Sequence, residues 1–83
     1  MAIPDYQTVM LPLLQATKDG KDHLLSDIIE ELGNQFGLTA EEKKELLPSG
    51  TQNTFDNRVR WAGTYLFKAR LLDRTGRGVI RIT

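Results

Sequence analysis

Cysteine is absent from this 83-residue chain, and histidine occurs once, at His23. A disulfide framework, a thiolate metal site and a Cys–His nucleophile are all excluded. The lack of cysteine fits a cytoplasmic protein. No Gly-x-x-x-x-Gly-Lys phosphate loop and no metal-spaced histidine pair is present. No apolar run approaches the ~20 residues needed to cross a bilayer. No basic start followed by an apolar stretch marks a signal peptide. Internal repeats and low-complexity tracts are also missing. No cofactor, no catalytic residue, no metal ligand and no membrane contact is expected.

What remains is a chain that is 40% hydrophobic and 27% charged, the balance of a globular domain. At this length residues 1–83 are read as one domain, with a thin core. The net charge is zero, but its distribution is uneven. Residues 1–47 carry four lysines against nine acids, a net of −5. Residues 48–83 carry seven cations against Asp56 and Asp73, a net of +5, and six of the seven are arginine. Arginine's planar fork suits two-pronged contact with phosphate or base edges. Charge asymmetry between halves points towards nucleic acid. The bland alternative is that the two halves simply pair with each other.

Ile3-Pro4-Asp5 opens a first helix, with the proline near its first position. Tyr6, Met10, Leu13, Leu14 and Thr17 share a face, and Pro12 inside that pattern predicts a kink or a loosened turn. Asp19-Gly20-Lys21 reads as a turn, and Asp22-His23-Leu24 as a short extended piece. Ser26 reads as an N-cap with Asp27 behind it. Ile28, Ile29, Leu32 and Phe36 form the stripe of a second helix that Gly37 stops. Thr39 with Glu42 forms a capping box for a short helix, ended by Pro48-Ser49-Gly50. Residues 48–53 read as loop, and Asn53 or Thr54 caps a long helix. Beyond Leu71-Leu72 the period changes to two, and Gly76-Arg77-Gly78 between two such runs is a hairpin signature. The expected fold is mainly α with a small β-hairpin, a winged helix-turn-helix. The helix over 54–70 is its recognition helix and residues 73–81 are its wing.

In the long helix, Phe55, Val59, Ala62 and Leu66 fall on one face at about 100° per residue, and that face turns to the core. Asn57, Arg60, Trp61, Thr64 and Lys68 fall opposite, with Arg58 and Tyr65 at one border and Asp56 and Phe67 at the other. The outward face carries no acid. Arg58, Lys68, Arg74 and Arg77 are candidates for phosphate contact. Asn57 and Arg60, with Thr64 assisting, are candidates for base edges. Trp61 is open between two roles, contact or core. The plainer reading makes the face ordinary solvated surface and the hairpin arginines protection of an exposed edge. Lys43-Lys44 reads as solvated, and His23 as a surface or structural residue without a visible partner.

Pro4-Asp5 and Glu42-Lys43-Lys44 contain the pieces of a metal-dependent nuclease motif, Pro-Asp and Glu-x-Lys. Such a motif needs Glu-x-Lys on a strand beside the aspartate. Here both carboxylates fall at helix starts, where capping explains them.

Taken together, IPDY, MLPLL, ELLPSG, FDNRVRWAGTYL and GVIRIT resemble the N-terminal domain of Mrr-type restriction systems over Ile3 to Thr83. The resemblance implies a winged-helix domain that binds double-stranded DNA, methylated in the typical target. In that family a separate C-terminal domain cuts, so the chain is expected to be one domain of a longer restriction endonuclease. Self-association of the full-length protein is a further expectation. The alternative function is a protein-interaction or dimerisation module that uses the same face, with Trp61 as its anchor.

Overall fold

The computed structural model describes residues 3–47, 50 and 52–83. Its elements are α1 (Tyr6–Ala16), β1 (His23–Leu24), α2 (Leu25–Gln35), α3 (Ala40–Lys44), α4 (Thr54–Lys68), β2 (Leu72–Gly76) and β3 (Val79–Ile82). The three strands form one antiparallel sheet in the order β1-β3-β2. The mainly α fold with a small hairpin is the architecture expected, and the short piece at 23–24 joins the hairpin as a third strand.

The core sits where α1, α2, α4 and the hairpin meet. Val9 and Leu13 from α1, Ile28 and Leu32 from α2, and Leu38 close on Phe55, Val59, Ala62 and Leu66 from α4, with Leu72 and Ile80 below. All four α4 residues assigned to the core are buried. Phe36 meets Phe55 edge to face, with ring centroids 6.2 Å apart, a favoured arrangement for aromatic pairs. Burying a side chain of this kind contributes about 1.5–3 kcal/mol, so α4 is held mainly by its apolar stripe.

The helix ends follow capping chemistry, with corrections at the starts of α1 and α2. Asp5, not Pro4, begins α1: its side chain accepts the Thr8 N–H at 2.8 Å, and the helix starts at Tyr6. The helix then runs through Pro12. The carbonyl that Pro12 leaves without an amide partner belongs to Thr8, which is exposed to water. Ser26 is not an N-cap, because α2 already starts at Leu25. The hairpin supplies what a capping side chain would have accepted: the Leu25 N–H donates to the Gly78 carbonyl at 2.8 Å. The α3 capping box is complete, and Asn53 caps α4 by accepting the Asp56 N–H at 3.2 Å. Pro48 and Ser49, expected to end α3, lie outside the described residues; the helix itself ends at Lys44.

Helices α2 and α4 close with the same double hydrogen bond. In α2 the Gly37 and Leu38 amides donate to Asn34 and Gly33, and in α4 the Arg70 and Leu71 amides donate to Phe67 and Leu66. This cap needs a left-handed residue. Glycine supplies it in α2 at φ +70°, and Arg70 supplies it in α4 at φ +63°.

The hairpin turn is tighter than expected. Gly76 pairs with Val79, leaving only Arg77 and Gly78 in the turn, and the register shifts between Arg74 and Gly76. Thr75 stands at that irregularity, and its hydroxyl donates to Asp22 at 2.9 Å. Asp22 also faces Arg81 at 3.9 Å. The hairpin is therefore tied to the segment before α2 by strand pairing, by Asp22 and by the Leu25 amide.

Two side chains expected to be idle are engaged. His23 Nε2 lies 2.9 Å from Asp19 Oδ1. Lys43 reaches back to α2, bonding Asn34 and lying 3.5 Å from Glu30. Its stem covers Gly33, where an added Cβ would stand 3.2 Å from Lys43 Cε. A buried glycine at that contact explains why a lysine expected to be solvated lies against the fold.

Candidate nucleic-acid interface

Helix α4 presents its outward face beside the hairpin, and the two enclose a cleft of about 310 Å³. Arg60, Gly63, Thr64 and Phe67 form the helix wall, and Arg74, Arg77 and Gly78 form the hairpin wall. Leu25 and Ile80 complete the lining, which contains no carboxylate. Four of the expected contact residues, Arg60, Thr64, Arg74 and Arg77, are thereby brought to one place.

Each is held by a different device. Arg74 lies over the Phe67 ring, its guanidinium carbon 4.5 Å from the centroid, a cation–π contact that restrains a long side chain. Arg60 Nε donates to Asp56 Oδ2 at 3.0 Å. The face itself carries no acid, as expected, but an acid from its border reaches one of its arginines. Asp56 sits one turn back at the border and reaches Arg60 through i,i+4 spacing. Only Nε is used, so the terminal guanidinium nitrogens still have hydrogens to donate. Thr64 bonds back to its own helix, its hydroxyl donating to the Arg60 carbonyl at 3.1 Å. Its proton is committed, and it can offer a ligand only its oxygen as acceptor.

The other expected residues continue along the helix. Asn57 is half-buried and donates to Gln52 Oε1 at 3.1 Å. Trp61 is 50% exposed and Tyr65 42%, which settles Trp61 as a surface residue. Tyr65 stacks on Tyr6 of α1 with centroids 4.9 Å apart, and Trp61 stands 6.2 Å from Tyr65. Arg58 is half-buried at the rim of a shallow depression lined with Tyr6, Asn57, Trp61 and Tyr65. It is also near Asp5. The Thr8 hydrogen bonds and, to a smaller degree, the Arg58 charge hold the Asp5 carboxyl below its ordinary value. Lys68 is exposed in the last turn of α4 and lines neither the cleft nor the depression.

Sequence reasoning placed Asp56 and Phe67 at the border of the face but missed their contacts with Arg60 and Arg74, and it missed Gln52 and the Tyr6–Tyr65 stack. The Asp56–Arg60 spacing was readable; the others depend on elements meeting in space. Asp5 and Glu42, the carboxylates of the nuclease-like pieces, act as capping groups of α1 and α3. Among the described residues no helix is long and apolar enough to cross a membrane.

A family model described as the Mrr N-terminal domain matches residues 6–83. No curated protein and no solved structure matches the chain.

Proposed function

The chain belongs to the Mrr N-terminal domain family, and on that premise we propose that it binds duplex DNA for an Mrr-type restriction system. The family is the N-terminal domain of such systems and not their nuclease domain. In this reading the fold is a winged helix, α4 is the recognition helix and the β2–β3 hairpin is the wing. The parent chain carries the nuclease elsewhere. The observation that carries the reading is the cleft between α4 and the hairpin, with three arginines and no carboxylate in its lining. Arg58, Lys68, Arg74 and Arg77 meet phosphates. Asn57 and Arg60 face base edges, Thr64 accepts beside them, and Trp61 covers the flank of the contact. The target is double-stranded DNA, including methylated DNA.

Fluorescence anisotropy with a short duplex, methylated and unmodified, tests this across a salt series. With about four phosphates neutralised, the log–log slope of affinity against salt is expected near −4. Replacing Arg60 and Arg77 together by alanine should weaken binding and flatten that slope. Equal affinity of the double variant and the wild type overturns the assigned face. No Mg²⁺-dependent nicking of plasmid by this chain is expected.

The half-exposed Trp61 and Tyr65 favour a second reading, in which the same flank joins two copies of the chain. Sedimentation at high concentration decides it. A monomer rejects homodimerisation. A dimer lost in Trp61→Ala, with DNA affinity intact, replaces the first reading of Trp61.

A further inference from the structure

The cleft between α4 and the hairpin poses an electrostatic problem. Arg60, Arg74 and Arg77 line one small space, and no carboxylate shares that lining. Part of the wall is apolar, from Leu25, Phe67 and Ile80, while all three arginines are exposed and keep their charges at the mouth of the cleft. Asp56 relieves one of the three through Arg60 Nε. It does not line the cleft. The other two have no carboxylate partner among the described residues. An arrangement of this kind becomes favourable when an anion enters.

The arginines are also positioned before any anion arrives. Phe67 carries Arg74 on its face. The two-residue turn fixes where Arg77 leaves the hairpin. The hairpin in turn is anchored through Thr75 to Asp22 and through Gly78 to Leu25. We infer that the cleft is a discrete phosphate-binding site in which Arg60, Arg74 and Arg77 close on a single phosphate group, with Phe67 as the positioning residue that holds Arg74. The inference rests on the DNA-binding reading and sharpens it. Arg60 moves from base reading to phosphate, and one backbone phosphate becomes the anchor that sets the register of α4 in the groove. The shared chemistry is a phosphate; its source is a backbone phosphodiester or a free phosphate ion.

Two measurements on the whole chain separate the outcomes. In duplex anisotropy across a salt series, Arg74→Ala is expected to weaken binding about tenfold and make the slope shallower by about 1. Phe67→Leu keeps every charge, so it should weaken binding about threefold to fivefold at unchanged slope. Phe67→Tyr keeps an aromatic face and should restore wild-type affinity. Circular dichroism confirms that each variant is folded. In the second measurement inorganic phosphate is titrated onto wild-type protein and followed through backbone amide NMR signals. Shifts confined to Arg60, Thr64, Arg74, Arg77 and Gly78 are expected. Duplex binding that ignores Arg74→Ala and Phe67→Leu, with phosphate shifts scattered over the surface, overturns the site and leaves the DNA reading standing. Localised phosphate shifts without any duplex binding keep the site, make free phosphate its source and overturn the DNA reading.

Discussion

Arg70 closes α4 at φ +63°, a conformation that side chains with a Cβ adopt at a cost of about 1 kcal/mol or more. The equivalent place in α2 is filled by Gly37. Arg70→Gly is therefore expected to raise stability by about 1 kcal/mol, a gain of about 4–8 °C in melting temperature for a domain of this size. A scan that shows no gain or a loss would mean that the Arg70 side chain gives back what its backbone costs. At this scale the site was half legible. Helix phase and hairpin position point to Arg60, Thr64, Arg74 and Arg77, and these four share a cleft. The devices that hold them were not visible. The Arg74–Phe67 contact joins a strand to a helix, and the Tyr6–Tyr65 stack joins the first helix to the fourth. Neither leaves a spacing rule in the chain, because only tertiary packing brings those residues together.

Helix starts are where acid should first be felt. Hydrogen bonds from Thr8 hold the Asp5 carboxyl below its ordinary value, and the Thr39 amide does the same for Glu42. In the loop before β1, hydrogen bonds from His23 and the Lys21 amide lower Asp19. A carboxylate whose pKa is lower in the folded chain than in the unfolded one stabilises the fold above its unfolded pKa. That stabilisation is lost as pH falls through the folded value. The melting temperature should thus be level near neutrality and fall once pH drops below about 4. Asp5→Asn and Glu42→Gln keep capping ability without a titrating group. The pair should make the acid limb shallower, and a limb of unchanged steepness would remove the caps as its cause. The capping box of Thr39 with Glu42 could be read from the chain directly, and the cap of α4 narrows to Asn53 or Thr54, of which the structure selects Asn53. The start of α2 could not be read in this way, since its first amide is satisfied by Gly78 from the other end of the sequence, and Ser26 therefore looked like a cap.

Across the whole molecule, charge is divided by element. Acids gather in α2 and α3, and arginines in α4 and the hairpin. A chain of zero net charge can in this way offer phosphates a cationic surface. The sheet divides the chain differently. β1 near the start pairs with β3 at the end, in the register His23↔Ile80 and Leu24↔Val79, and Leu72 and Ile80 complete the core. A fragment of residues 1–71 should accordingly lack cooperative unfolding by circular dichroism. Retention of a sharp transition would show that the three larger helices suffice alone. The β1–β3 pairing also orders events during synthesis. Contacts between distant parts of a chain form late, because the loop between them must first be closed. The segments bearing Asp5, Tyr6 and Leu13 leave the ribosome early, yet the surface that α4 shares with the hairpin is completed only when Ile80 has followed. A nascent chain released before that point would present α4 without its hairpin wall, so the cleft itself is complete only once β3 has joined the sheet.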